Sequence, residues 1–163
     1  MNENRKPNIN LDSFGQWQDI VSDNIQNFLP TLPVPISTRL DYSIDSLSVL
    51  GNWLVEQYLD SNSEKKQNEQ IGIHNGLIYY VGEVYRKYLE GHWNVHFKEL
   101  EPDYEYGEEP VIEGFHHDVA LSPYFEVLVT LSRNERERLK NVLIDFMKLY
   151  KRSNYVNYMD NRD

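Results

Sequence analysis

The hydrophobic pattern of this chain is mainly helical. Apolar residues recur at spacings of three and four in five segments, which predicts five amphipathic helices. The buried stripes predicted for the first two helices are Phe14, Trp17, Val21, Ile25 and Phe28, then Ile44, Leu47, Leu50, Leu54 and Tyr58. Those predicted for the other three are Ile73, Leu77, Tyr80, Val81, Val84, Tyr85 and Tyr88, then Phe125, Leu128 and Leu131, then Leu139, Val142, Phe146 and Leu149 or Tyr150.

Between the third and fourth helices the period changes to two. Trp93, Val95 and Phe97 alternate with Asn94 and His96, which is typical of a strand with one buried face. The segment 110–115 is a second candidate strand. We therefore predict an α+β fold, mostly helical, with a small antiparallel sheet of two or three strands supported by a helix.

Local signals mark the ends and the close contacts of these helices. Ser43 is placed to cap the second helix, Ser122-Pro123 opens the fourth, and Asn134 can cap the fifth. Gly76 and Gly82 fall inside the third helix, predicted from Gln70 to Glu90, where each costs up to about 1 kcal/mol relative to Ala. Such a cost predicts that a large side chain or another backbone packs closely against them.

The 163 residues fit a single domain with one core. We predict a flexible leader at 1–10, a globular domain at 11–152 and a frayed tail at 153–163. Within the domain, a helical arm (11–29) and a proline-rich connector (30–36) precede the core (41–152). Asp60 to Gln70 is polar and is predicted to be an exposed loop.

Charge and composition narrow the classes of partner. The formal net charge is −10, which opposes binding to nucleic acid and to anionic membrane surfaces. The chain has no cysteine, so disulfides, thiolate metal sites and thiol nucleophiles are excluded. The polar first twelve residues and the short apolar runs predict no secretory signal and no membrane span, and hence a cytoplasmic protein.

The acidic side chains are concentrated in one segment. Seven of them lie between Lys98 and Glu113, and with Lys98 they give this segment a formal charge of −6. The spacing does not fit a helix-loop-helix calcium site. A solvated loop is one interpretation; the other is a docking surface for a basic protein, because carboxylates steer a cationic partner and tyrosines supply rigid contact area. The residues predicted to bind the partner are Glu101, Asp103, Tyr104, Tyr106, Glu108 and Glu109.

Two weaker patterns bear on catalysis. An imidazole and carboxylate cluster that binds a metal would draw on His96, His116, His117 and Asp118, although neighbouring residues of a strand point to opposite faces. Glu83 could act as a general acid or base, or it could pair with a basic residue one turn onward or accept a hydrogen bond from an indole. The motifs of common nucleophiles, phosphate loops and zinc proteases are absent, so we predict neither a cofactor nor an assigned catalytic residue.

Three stretches resemble a group of small uncharacterised bacterial proteins, some of which are similar to immunity proteins of toxin systems. The stretches are 41–47 running into Trp53, 82–86 running into Gly91-His92-Trp93, and 122–127. The resemblance covers residue 41 to about 150 and implies no catalytic residue.

Together these patterns predict a non-catalytic, immunity-like domain that binds a protein with a basic surface. The alternatives are a metal-assisted hydrolase that uses the His and Asp cluster and a structural subunit that forms a homodimer.

Overall fold

The computed structural model describes residues 16–60 and 75–162, without the side chains of 58–60. The predictions for the leader, Phe14, Tyr58, most of the 60–70 loop, and Ile73 with the first turn of the predicted third helix (70–74) therefore lie outside the described residues. The helices are α1 (Trp17–Phe28), α2 (Val34–Ser37), α3 (Ile44–Asp60), α4 (Asn75–Leu89), α5 (Pro123–Arg133), α6 (Arg138–Tyr150) and α7 (Arg152–Asp160). A 3₁₀ turn at Leu29–Thr31 follows α1, and the strands are β1 (His92–Asn94) and β2 (Val111–Glu113). The mostly helical α+β class is confirmed, with seven α-helices in the described part of the chain where about five were predicted.

The two additional helices lie where the hydrophobic pattern is weak. One short turn, α2, replaces part of the predicted extended connector, and Pro35 stands in its first turn, where a missing N–H costs no hydrogen bond. The other, α7, occupies most of the predicted frayed tail. It buries no residue, but Asn154 donates a 2.8 Å hydrogen bond to the carbonyl of Tyr88, and the hydroxyl of Tyr158 donates one of 3.1 Å to Asp45. Tyr155 and Tyr158 pack against the core only in part, so the helix has no stripe of buried apolar residues to detect.

The central helix is α4, which packs against α1, α5, α6 and β2. Its two internal glycines allow close approach. A Cβ at Gly76 would overlap the side chain of Phe28 and the backbone of Asn24, and a Cβ at Gly82 would overlap the indole of Trp93. The close packing predicted at both positions is confirmed.

The sheet is smaller than its alternating pattern indicated. Strands β1 and β2 pair antiparallel with Trp93 opposite Ile112, and Ile112 also forms an isolated bridge to Leu121. Val95 and Phe97 keep the predicted buried face although they follow the end of β1. Within the described residues the sheet therefore has two strands, and no regular third strand forms.

The buried face of α5 differs from the prediction. Ser122 caps the helix as predicted, since its hydroxyl accepts from the amide of Phe125. However, Phe125 and Leu128 are 48% and 36% exposed, whereas Glu126 is buried and accepts a 2.8 Å hydrogen bond from Arg138 of α6. The helix turns this ion pair inward and two apolar side chains outward.

A similar shift affects α6. Asn134 ends α5 in a left-handed conformation (φ 54°) and does not cap α6. Leu139 is buried as predicted, but the other fully buried positions are Leu143 and Met147, while Leu149 is 71% exposed. Val142, Phe146 and Tyr150 are partly buried against the core.

Candidate functional site

The acidic segment is an ordered series of turns that joins β1 to β2. We call residues 98–109 the acidic loop. The amides of Leu100 and Glu101 both donate 2.9 Å hydrogen bonds to the carbonyl of Phe97, and the amide of Gly107 donates one of 3.0 Å to Tyr104. Across the loop, Glu108 accepts a 3.0 Å hydrogen bond from the amide of Lys98. The loop therefore closes on itself, and a buried residue, Phe97, precedes it.

The six residues predicted to bind a partner occupy three different environments. Glu101, Asp103 and Glu108 are exposed, and Tyr104 and Tyr106 are partly buried. The sixth, Glu109, is only 8% exposed. The structure brings all six into one loop, but it turns Glu109 inward, so that five of them can reach a surface.

His96 lies between two carboxylates. Its Nδ1 contacts Glu101 of the acidic loop, and its Nε2 lies 3.0 Å from Glu113 of β2. Its side chain is 14% exposed. Burial lowers the pKa of His96, but the hydrogen bonds to Glu113 and Glu101 outweigh it and leave the pKa above its ordinary value. The imidazole thus links the loop to the sheet.

Four aromatic rings extend from this point across the surface. The rings of His96 and Tyr104 are stacked at 3.6 Å, Tyr104 meets Tyr106 edge to face at 5.9 Å, and Tyr106 lies 6.5 Å from Phe125 of α5. We call these four residues the aromatic ladder. Aromatic pairs contribute about 0.5 to 1.5 kcal/mol each beyond their buried area. The ladder therefore holds the loop against α5 as well as against the sheet.

The tyrosines of the ladder remain uncharged at neutral pH. Burial, with a further contribution from the charge of Glu113, raises the pKa of Tyr104 to about 12. Burial and the charge of Glu105 also raise the pKa of Tyr106. The negative charge of this surface therefore comes from the carboxylates alone.

Exposed apolar side chains border the acidic loop. Phe125 is the last ring of the aromatic ladder, and Leu128 follows it one turn along α5. Leu100, within the loop, is 69% exposed. We define the acidic face as the exposed carboxylates of the acidic loop together with Phe125 and Leu128. It combines negative charge with an apolar margin.

The histidines predicted as alternative metal ligands do not come together with His96. His116 and His117 are exposed; the first contacts the ring of Tyr150 at 4.6 Å and the second pairs with Asp118 at 3.0 Å. In the described residues, no group of three or more His, Asp or Glu side chains has a geometry that could hold a metal ion. The two ring nitrogens of His96 each face a different carboxylate, Nδ1 that of Glu101 and Nε2 that of Glu113. The imidazole and the two carboxylates therefore do not converge on one point.

Glu83 both pairs with a basic residue one turn onward and accepts a hydrogen bond from an indole, the two predicted alternatives to a catalytic role. Its carboxylate accepts two 2.9 Å hydrogen bonds from Arg86 and one of 2.7 Å from the indole nitrogen of Trp93. It lies at the wall of a groove of about 700 Å³ that α1 also lines. Three donors on one carboxylate hold Trp93 over Gly82, which is a structural role.

Sequence patterns missed the link between the loop and the sheet. Alternation along residues 92–97, which extend beyond β1, puts His92, Asn94 and His96 on one face, and Glu113 lies directly opposite His92 in the register. Asn94 donates a hydrogen bond to Glu113. The signal for this cluster was present in the alternation, but the register was needed to add Glu113 to it.

Compared with known proteins, the chain matches no family model, no curated protein and no solved structure. None of the helices in 16–60 and 75–162 is both long enough and apolar enough to cross a membrane.

Proposed function

We propose that this protein binds, without catalysis, a protein partner that presents a basic surface, and that the acidic face is the docking site. The observation that carries the proposal is the aromatic ladder, which holds a loop of high negative charge in one shape beside exposed apolar side chains. An immunity-type inhibitor of a toxin is the most specific form of this proposal, and the resemblance of residues 41 to about 150 supports it.

Electrostatics support a cationic partner. The exposed carboxylates of the acidic loop contribute to a formal net charge of −10 for the whole chain, so the field attracts basic proteins at long range and repels acidic ones. Attraction of this kind raises the association rate more than it slows dissociation. We therefore expect binding to weaken as salt is added, because the Debye length falls to about 3 Å at 1 M.

Preorganisation supports a stable complex. A loop that must be ordered on binding loses affinity, and each immobilised side chain costs about 0.5 to 1.5 kcal/mol. The loop is already closed by its own hydrogen bonds and by the ladder, so most of this entropy is lost when the protein folds and not when the partner binds. Phe125 then offers a rigid aromatic ring next to the charges, which is the type of residue that concentrates binding energy at interfaces.

The test compares variants that remove the same charge at different places. Asp103 and Glu105 are exposed in the loop, so Asp103→Asn with Glu105→Gln removes two charges and leaves the contacts of Glu101 and Glu108 in place. The matched control is Asp23→Asn with Asp160→Asn, two exposed carboxylates on α1 and α7. Proteins captured by the intact chain are purified, and binding is measured by calorimetry together with the stoichiometry.

We expect a complex of defined stoichiometry whose affinity falls about 2- to 30-fold in the loop variant and is unchanged in the control, because each exposed ion pair contributes about 0.2 to 1 kcal/mol. Phe125→Ser should weaken the same complex by about fivefold or more. Equal affinity of all variants for every captured protein would remove the acidic face as a docking site.

A further inference from the structure

We propose that His96 is a pH-operated latch that fastens the acidic loop to β2 while it is protonated and loses that hold when it is neutral. Two contacts define the latch: Nδ1 with Glu101 of the loop and Nε2 with Glu113 of the strand.

The two carboxylates favour the charged form of the ring. A carboxylate can only accept a hydrogen bond, and a neutral imidazole has one donor and one acceptor nitrogen. With carboxylates on both sides, a neutral ring would turn an unprotonated nitrogen toward one of them. The imidazolium donates from both nitrogens and satisfies both. Loss of the proton therefore breaks one of the two links, either to the loop or to the strand.

The other groups around the ring favour the same state. The loop contributes Glu101 and the stacked ring of Tyr104, which is uncharged at neutral pH. From β2 comes Glu113, and β1 contributes Asn94, which donates to Glu113, and His92, whose Nε2 lies 3.9 Å from Glu113. Two carboxylates thus face one partly buried imidazole, with the exposed imidazole of His92 beside Glu113.

The direction of the pH effect follows from the raised pKa of His96. A histidine whose pKa is higher in the folded state stabilises the fold fully below its unfolded value of about 6.5 and loses that contribution as the pH rises through the folded value. The latch is therefore closed at pH values below 6.5 and opens as the pH rises through the raised pKa of His96. If the acidic face is the docking surface, which rests on the proposed function, partner binding weakens over the same range.

An NMR titration of the isolated full chain from about pH 5.5 to about pH 9 tests the latch, because it follows the ring of His96 and the loop amides separately. We expect a midpoint for His96 above 6.5 and shifts of the Glu101 and Tyr104 amides with that same midpoint. Glu101→Gln should lower the midpoint, and His96→Gln should abolish the transition of the two amides.

The control is His117→Gln, which removes an exposed histidine paired with Asp118 and should leave the loop transition unchanged. A His96 midpoint at or below 6.5, or a loop transition that persists in His96→Gln, would overturn the proposal. The NMR titration contains no partner protein, so its outcome does not depend on the docking proposal. The capture experiment likewise does not depend on the latch.

Discussion

Replacing Gly82 with Ala should destabilise the protein, although alanine is the better helix former. The three heavy atoms nearest to an added Cβ all belong to the indole of Trp93, and none is farther than 3.0 Å. The ring cannot easily step aside, because Trp17 and Tyr79 meet it edge to face at 5.9 and 5.7 Å and Glu83 accepts a hydrogen bond from it at 2.7 Å.

The magnitude comes from opposing terms. Overpacking a filled site costs about 1 to 3 kcal/mol. Displacement of the indole also strains or breaks its hydrogen bond to a charged group, which contributes about 1.5 to 3 kcal/mol. The gain in helix propensity on changing Gly82 to Ala is at most about 1 kcal/mol. We expect a net loss of about 1.5 to 5 kcal/mol in the free energy of unfolding.

The effect of Gly82→Ala on stability should change sign when the indole of Trp93 is removed. In a Trp93→Leu background the side chain ends short of these ring positions, so Gly82→Ala should be neutral or stabilising by up to about 1 kcal/mol. Urea unfolding followed by far-ultraviolet circular dichroism measures all four proteins of this double-mutant cycle, and we expect a coupling of about 2 kcal/mol or more.

Gly51 supplies the control, because a Cβ there would overlap the backbone carbonyl of Arg136, away from the indole. Gly51→Ala should cost the same with and without Trp93. Destabilisation by Gly82→Ala that is equal in both backgrounds would refute the close-packing argument.

Two further predictions concern buried polar groups. Arg138→Met leaves Glu126 buried without its ion pair and should cost about 3 to 5 kcal/mol near neutral pH. Burial raises the pKa of Glu126, so its carboxyl group takes up a proton at a higher pH in the folded state than in the unfolded state. The loss of stability caused by Arg138→Met, measured by urea unfolding, should therefore shrink as the pH falls toward 4.5. A loss of stability that does not depend on pH would contradict this reasoning. Tyr85→Phe removes a 2.9 Å hydrogen bond to a buried carbonyl and should cost about 1 kcal/mol or more. Tyr104→Phe should be neutral or stabilising, because the hydroxyl of Tyr104 is buried with no hydrogen-bond partner among the described residues. Thermal unfolding compares the stability of the two variants, and an equal loss of stability in both would contradict this prediction.

Short-range features of this protein were determined by its sequence. Ser122 followed by Pro123 starts a helix because the hydroxyl and the proline satisfy the first turn by themselves. Gly76 and Gly82 indicated close contacts because their cost in a helix needs a compensating neighbour. The alternation after Gly91 indicated a strand with a buried face, since side-chain direction along an extended chain is a local property.

The tertiary structure decided which of several possible faces each element buries. Periodicity along α5 shows an apolar arc, but the ion pair of Glu126 with Arg138 of the next helix, α6, turns Phe125 to the surface, and the packing of α6 on α5 is not a local property of either helix. The site depends on such contacts even more. His96 joins the acidic loop to β2 because Glu113, which the register places opposite His92, also lies beside its Nε2. Hydrogen bonds between distant residues leave no period in a sequence.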